Sequence, residues 1–176
     1  MTVIDYGITR KEGFDHRIGE LISMLEHTRS VTMEEVSGIS REELEYMDDP
    51  GGNTIASLLM HIAAIEFVHQ IISFEERDLT DEEADIWGKA LDLGNPANLH
   101  YQGKEVDEYL EALKKVRSVT VSSFSQLSDQ WLDEERRWGN GVSYNFYYIW
   151  YHVMEDEINH RGQIRLLRRK FRERSN

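Results

Sequence analysis

Apolar residues recur at the spacing of an α-helix through four long stretches of this chain, and no stretch alternates as a strand would. That restricts the fold to helices packed on helices. The last stretch is the most informative. Phe146, Ile149, Val153, Ile164, Leu167 and Phe171 form one apolar stripe, and His160 falls at its centre. Asp156 lies one turn earlier on one flank, Glu157 lies on the other, and His152 drifts towards the edge. An imidazole and a carboxylate facing a core are costly unless something satisfies them, and a bound cation does so.

The remaining stretches supply a frame. Phe14, Ile18, Leu21, Ile22 and Leu25 predict a first helix over 11–37, weakened at its far end by Val31, Thr32 and Val36. Ser40-Arg41-Glu42-Glu43 is a capping-box pattern for a short helix that stops before Asp48-Asp49-Pro50-Gly51-Gly52. Asn53 or Thr54 caps a second long helix to about Glu76, striped by Ile55, Leu58, Leu59, Ile62, Ile65 and Ile72. His69 lies within this stripe, Glu66 on its edge, and His61 to the other side. Thr80-Asp81-Glu82-Glu83 caps a short helix to about Leu91, and Gly94-Asn95-Pro96 reads as a turn. So long a connection predicts a crossover or a lid. A third long helix spans Lys104 to about Leu127, with Val119-Thr120-Val121 as its weakest part. A polar connection then leads to Ser143, the expected N-cap of the fourth long helix. The expectation is an all-α four-helix bundle, one domain over 1–176.

Two arrangements of the same polar residues carry chemistry. In the first, His61 joins Asp156 and His160, which sit four apart on one helical face. Two imidazoles and a carboxylate, with positions left for water or substrate, suit one divalent ion: Zn, Ni or Fe(II). In the second, Glu66-x-x-His69 and Glu157-x-x-His160 resemble the paired motifs of ferritin-like di-iron bundles, with Glu20 or Glu26 and Glu108 or Glu111 as further ligands. Against both stands a plainer reading, in which these are core histidines hydrogen-bonded to their neighbours.

The absence of cysteine excludes thiolate catalysis and thiolate ligands. Any attacking sulfur must come from a cosubstrate. A net charge of −13 disfavours nucleic acid and acidic membrane surfaces as partners. The stretch Ile55 to Ile72 contains His61, Glu66, His69 and Gln70, so it reads as a core helix and not as a membrane span. Seven of the twenty basic residues fall in 161–176, where they offset the negative end of a helix dipole. No basic-then-apolar leader is visible, and the expected location is the cytoplasm.

The run Gly51-Gly52-Asn53-Thr54-Ile55-Ala56-Ser57-Leu58-Leu59-Met60-His61-Ile62-Ala63-Ala64-Ile65-Glu66 resembles the first signature of the DinB-like (YfiT-like) metalloenzymes. Trp138-Gly139, followed by His152 through His160-Arg161-Gly162-Gln163-Ile164, resembles the second. The resemblance implies a four-helix bundle with a long crossover, often a homodimer, holding one metal with three histidines. It also implies chemistry of the thiol S-transferase type, with bacillithiol or mycothiol as a low-molecular-weight cosubstrate and a small molecule as substrate, or a related hydrolysis. His61 and His160 match the first and third ligands. Asp156 stands where the family commonly has the second histidine, and aspartate ligates the same ions. Gln163, His152, Glu66 and Glu157 become candidates for the surrounding shell or pocket. The alternative is a dimeric stress or ligand-binding bundle whose metal site has degenerated.

Overall fold

The protein, described here by a computed structural model over residues 4–174, begins its first helix where the sequence gains a cap from elsewhere in the chain. In α1 (His16–Glu35) the Asp15 side chain makes no capping bond. Instead the Asp129 carboxylate accepts from the backbone N–H groups of Arg17 and Ile18 at 3.0 Å each. A carboxylate there meets both the free donors and the positive end of the helix dipole. Residues 11–15, read as helical from periodicity, therefore lie outside the helix. Helix α2 (Arg41–Leu44) starts at Ser40, whose hydroxyl accepts from the Glu43 N–H.

Thr54 and Ser57 form a reciprocal capping box that opens α3 (Ile55–Gln70), and a π-helical turn extends it over Ile71–Glu75. By length and composition Ile55–Glu75 is apolar enough to cross a membrane, but most of it is buried within the bundle. It is covered nearly all round, and this is why Glu66, placed on an edge by periodicity, is fully buried. Thr80 and Glu83 cap α4 (Asp81–Asp92). A left-handed Leu93 turns the chain into α5 (Gly94–His100), so Gly94-Asn95-Pro96 opens a helix where a turn was expected. Proline fits the first turn of a helix because its missing N–H has no partner there.

Helix α6 (Val106–Phe124) keeps Val119-Thr120-Val121 helical. A 3₁₀ turn (Asp129–Asp133) and a small antiparallel hairpin follow, β1 (Glu135–Arg137) paired with β2 (Ser143–Asn145). Strands of three residues are too short to show alternation, so periodicity does not reveal them. Ser143 thus belongs to a strand. The cap of α7 (Phe146–Arg174) is Asn145, whose Oδ1 accepts from the Tyr148 N–H at 2.9 Å.

Helix α3 packs against α6 and α7, and α7 packs against α1. Two apolar clusters fill the bundle. One gathers Val36, Leu44, Leu58, Ala63, Leu113 and Ile164; the other gathers Ile18, Leu25, Phe124, Phe146, Trp150 and Val153. The clusters lie at opposite ends of the four long helices. Between them, each helix contributes a charged side chain to a polar layer.

The basic stretch of α7 lies on acids of this same chain. Arg165 Nε is 2.7 Å from Glu35, Arg168 Nε is 2.7 Å from Glu43, and Lys170 pairs with Asp48. These contacts hold α7 against the end of α1, α2 and the loop after it.

Candidate metal centre

The polar layer comes from positions that α-helical periodicity turns inward. Arg29 shares a face with Leu25 and Thr32, and Arg117 with Leu113, Thr120 and Phe124. Glu66 on α3 and Glu157 on α7 meet them. Arg29 donates from Nη2 to Glu66 at 2.7 Å, from Nε to Glu157 at 2.9 Å and from Nη1 to the Leu113 carbonyl at 2.7 Å. Arg117 donates to both oxygens of Glu66, at 2.6 and 3.0 Å. The Thr120 hydroxyl adds a bond to Glu66 at 2.6 Å and accepts from Gln70 at 2.8 Å. Two cations and two anions thus neutralise one another. Burial pushes the Glu66 carboxyl up, but Arg117 and Arg29 outweigh it and hold it well below the usual carboxylate range.

This cluster occupies the acids of both Glu-x-x-His motifs. Guanidinium groups stand against the two carboxylates that a di-iron centre would need, and a buried arginine cannot shed its charge to make way for iron. The di-iron reading is therefore set aside. Glu66 and Glu157 do not face a metal or line a pocket, because each is committed to arginine.

Beside the layer, on the α3–α7 seam, His61, Asp156 and His160 converge. One ligand atom from each falls within 4.8 Å of the other two. Asp156 Oδ1 is 3.4 Å from His160 Nε2 and 3.8 Å from His61 Nε2. These separations are long for hydrogen bonds. They suit a shared cation, since two ligands each roughly 2.1 Å from a tetrahedral ion stand about 3.4 Å apart. The His61 and His160 rings are 4.6 Å apart between centroids and inclined at 74°.

Three details bear on whether these residues fit a metal. His61 Nδ1 lies 2.8 Å from the Ala90 carbonyl. A carbonyl can only accept, so in the neutral ring Nδ1 carries the proton and Nε2 is left as a lone-pair donor, the arrangement typical of a metal-binding histidine. Asp156 Oδ2 and His160 Nδ1 are buried with no hydrogen-bond partner. Leaving buried polar atoms unpaired costs roughly 1–3 kcal/mol each, more for a charged group, which a bound cation on the carboxylate offsets. Burial pushes the Asp156 carboxyl up, but the His160 and His61 imidazoles outweigh it and keep it ionised. The donor set fits a divalent ion of the Zn, Ni or Fe type.

Other residues suggested by the sequence lie elsewhere. His152 is directed to His69, with ring centroids 5.5 Å apart, and its Nδ1 is 3.4 Å from Glu155. It does not join the triad because it lies eight residues, about 12 Å along the helix axis, before His160 on α7. His69 donates from Nδ1 to the Ile65 carbonyl at 2.7 Å, and burial pushes its pKa down to about 4. Gln163 is exposed. Arg29 and Arg117 were not singled out from the sequence. The usable signal was an arginine at a core-stripe position on each of two helices.

Residues 20–173 match the mycothiol-S-transferase family. The chain belongs to that family. It is one of the DinB-like proteins, and its bundle is theirs. Among solved structures, a conserved protein from Enterococcus faecalis is 18% identical with a TM-score of 0.63, over 85% of this chain and 93% of that one. A DinB-like protein from Bacillus subtilis is 20% identical with a TM-score of 0.59, over 86% and 91%. A protein from Streptococcus pneumoniae is 17% identical with a TM-score of 0.63, over 89% and 90%. At these identities the likeness shows the fold. No curated protein matches the sequence.

Proposed function

We propose that this DinB-like protein is a divalent-metal-dependent transferase that joins a low-molecular-weight thiol to a small electrophilic substrate. The observation that carries the reading is the convergence of Asp156 Oδ1 with the Nε2 atoms of His160 and His61, at 3.4 and 3.8 Å, with the His61 lone pair turned to the site by the Ala90 carbonyl. The family's description supports mycothiol as the thiol, or a low-molecular-weight thiol of the same kind. With no cysteine in the chain, the sulfur cannot be the protein's own.

His61, Asp156 and His160 would hold the ion. A divalent ion in that place supplies Lewis acidity and lowers the pKa of a thiol brought to it. The chain's own part is to prepare that place. Asp156 brings a negative charge, so the centre carries one positive charge less than an all-histidine set around the same ion. The Ala90 carbonyl fixes the tautomer and plane of the His61 ring. Helices α3 and α7 carry the triad, and Ile62, next to His61, and Ile164, one turn after His160, are buried.

The test has two readouts on the full-length protein. Metal content is measured after loading with Zn or Ni and removal of excess ion. Conjugation of mycothiol or bacillithiol to monochlorobimane is then followed with and without metal. Wild type retains about one ion per chain and conjugates faster with it, while His61→Ala and His160→Ala lose both properties. Equal metal content in wild type and both variants would remove the site.

A further inference from the structure

The polar layer beneath the triad divides its work between two arginines. Among the described residues, Arg29 alone donates hydrogen bonds to acids on both ligand-bearing helices, to Glu66 on α3 and to Glu157 on α7. Arg117 donates only to Glu66 and stands 3.7 Å from Glu157. These acids sit close to the ligands in the chain. Glu157 directly follows Asp156 and precedes His160 by less than a turn. Glu66 lies five residues beyond His61, about 7.5 Å along the helix axis.

We propose that Arg29 is a positioning residue for the metal centre: by gripping Glu66 and Glu157 with one planar guanidinium, it sets the rotation of α7 against α3 and so the distance from His61 to Asp156 and His160. The proposal rests on the metal reading above. Its physical basis is a difference in directionality. Apolar packing along the α3–α7 seam resists separation of the helices but opposes rotation weakly. The forked bonds of a guanidinium to two carboxylates are directional and planar, and they resist it. The tolerance is small. A ligand atom lies about 6 Å from its helix axis, so a 10° turn of α7 moves it by roughly 1 Å, whereas metal bonds tolerate about 0.2 Å. Arg161, also on α7, donates to the Thr28 carbonyl of α1 and does not tie α7 to α3.

The experiment compares Arg29→Met with Arg117→Met, because each removes one buried cation from the same layer. Both variants lose thermal stability. The readouts that separate them are Co(II) affinity by titration of the metal-free full-length protein and the ligand-field absorption of bound Co(II). Arg29→Met is expected to weaken Co(II) binding by about 10- to 100-fold, the range seen when groups that orient ligands are removed, and to shift the absorption bands. Arg117→Met is expected to bind within about threefold of wild type, with unshifted bands, since the Arg29 grip survives. If Arg29→Met does not fold, Arg29→Lys serves, because it keeps the charge but cannot bridge both acids in one plane. Wild-type affinity and spectrum in the Arg29 variant would overturn the proposal, as would an equal loss in both arginine variants. Wild type that binds Co(II) no better than His61→Ala would instead overturn the metal reading, and the positioning role with it.

Discussion

Two clusters of charged side chains lie side by side in this bundle and have opposite chemical character. In the Arg29–Glu66–Arg117–Glu157 layer, the four charges cancel and the carboxylates accept from guanidinium groups and a hydroxyl. In the His61–Asp156–His160 triad a negative charge is held between imidazoles at distances too long for good hydrogen bonds, and two buried atoms have no partner. The layer balances its own charge without a ligand, although Arg117 Nη1 has no partner; the triad leaves its carboxylate without a hydrogen-bonded cation. Burial and charge alone do not mark a binding site. Ligand atoms that converge on a common point without good hydrogen bonds to one another do.

The comparison breaks most readily at Glu66. Glu66→Leu leaves two buried guanidinium groups facing an apolar side chain, and the expected loss is about 3–5 kcal/mol, read from urea unfolding of the metal-free protein. A loss under about 1 kcal/mol would mean that the layer is wetter or looser than its geometry. A pH series sharpens the same point. The Glu66 carboxyl falls from its ordinary 4.5 to about 2 in the fold. A carboxyl with a depressed folded pKa binds fewer protons folded than unfolded, so its stabilisation is complete above 4.5 and is lost as pH falls from there towards about 2. In Glu66→Gln, the slope of unfolding free energy against pH across that window should flatten.

The triad is expected to behave in the reverse way. His61→Ala should cost at least about 100-fold in Zn or Ni affinity, measured by competition with a chromophoric chelator, since a ligand counts for more than a group that only orients one. It should leave metal-free stability far less changed than Glu66→Leu does. Added metal should raise the Tm of wild type and not of the variant, because only the native state of a protein with the site intact gains from the ion. A smaller step is Asp156→Asn, which preserves shape and removes the charge. Affinity should fall by roughly tenfold, with the order of metals shifting towards those that favour neutral ligands. The smallest effect belongs to the exposed pairs of α7. Arg165→Ala should move stability by no more than about 0.5 kcal/mol and metal affinity not at all.

Much of this architecture was legible in the sequence because the relevant physics is local. Periodicity marked all four long helices, and capping residues placed the starts of α2, α3 and α4 within a residue. It failed where the deciding partner lies far along the chain. The start of α1 is fixed by Asp129, more than a hundred residues away. Pro96 opens a helix and Ser143 joins a strand, each for reasons that no short window contains. The triad followed the same division. The spacing of Asp156 and His160 was visible on one helix, whereas His61 and His69 both remained candidates on α3, one in each of two arrangements, until the rotation of that helix brought His61 to the pair. The two Glu-x-x-His motifs were equally visible and misled, because nothing local shows that arginines from α1 and α6 have already taken their acids.

The sequence by itself determined that this chain folds into amphipathic helices, that it brings no thiol of its own, and that nitrogen and oxygen are the ligands on offer. Those properties belong to single residues and to neighbours within a few turns. Only the tertiary structure decided which polar groups cancel one another and which are left facing a shared point. A charge reaches a buried partner only after helices from distant parts of the chain have packed, and the pairs formed there, Arg29 with Glu66 and Glu157, are the contacts that leave Asp156 free for a cation.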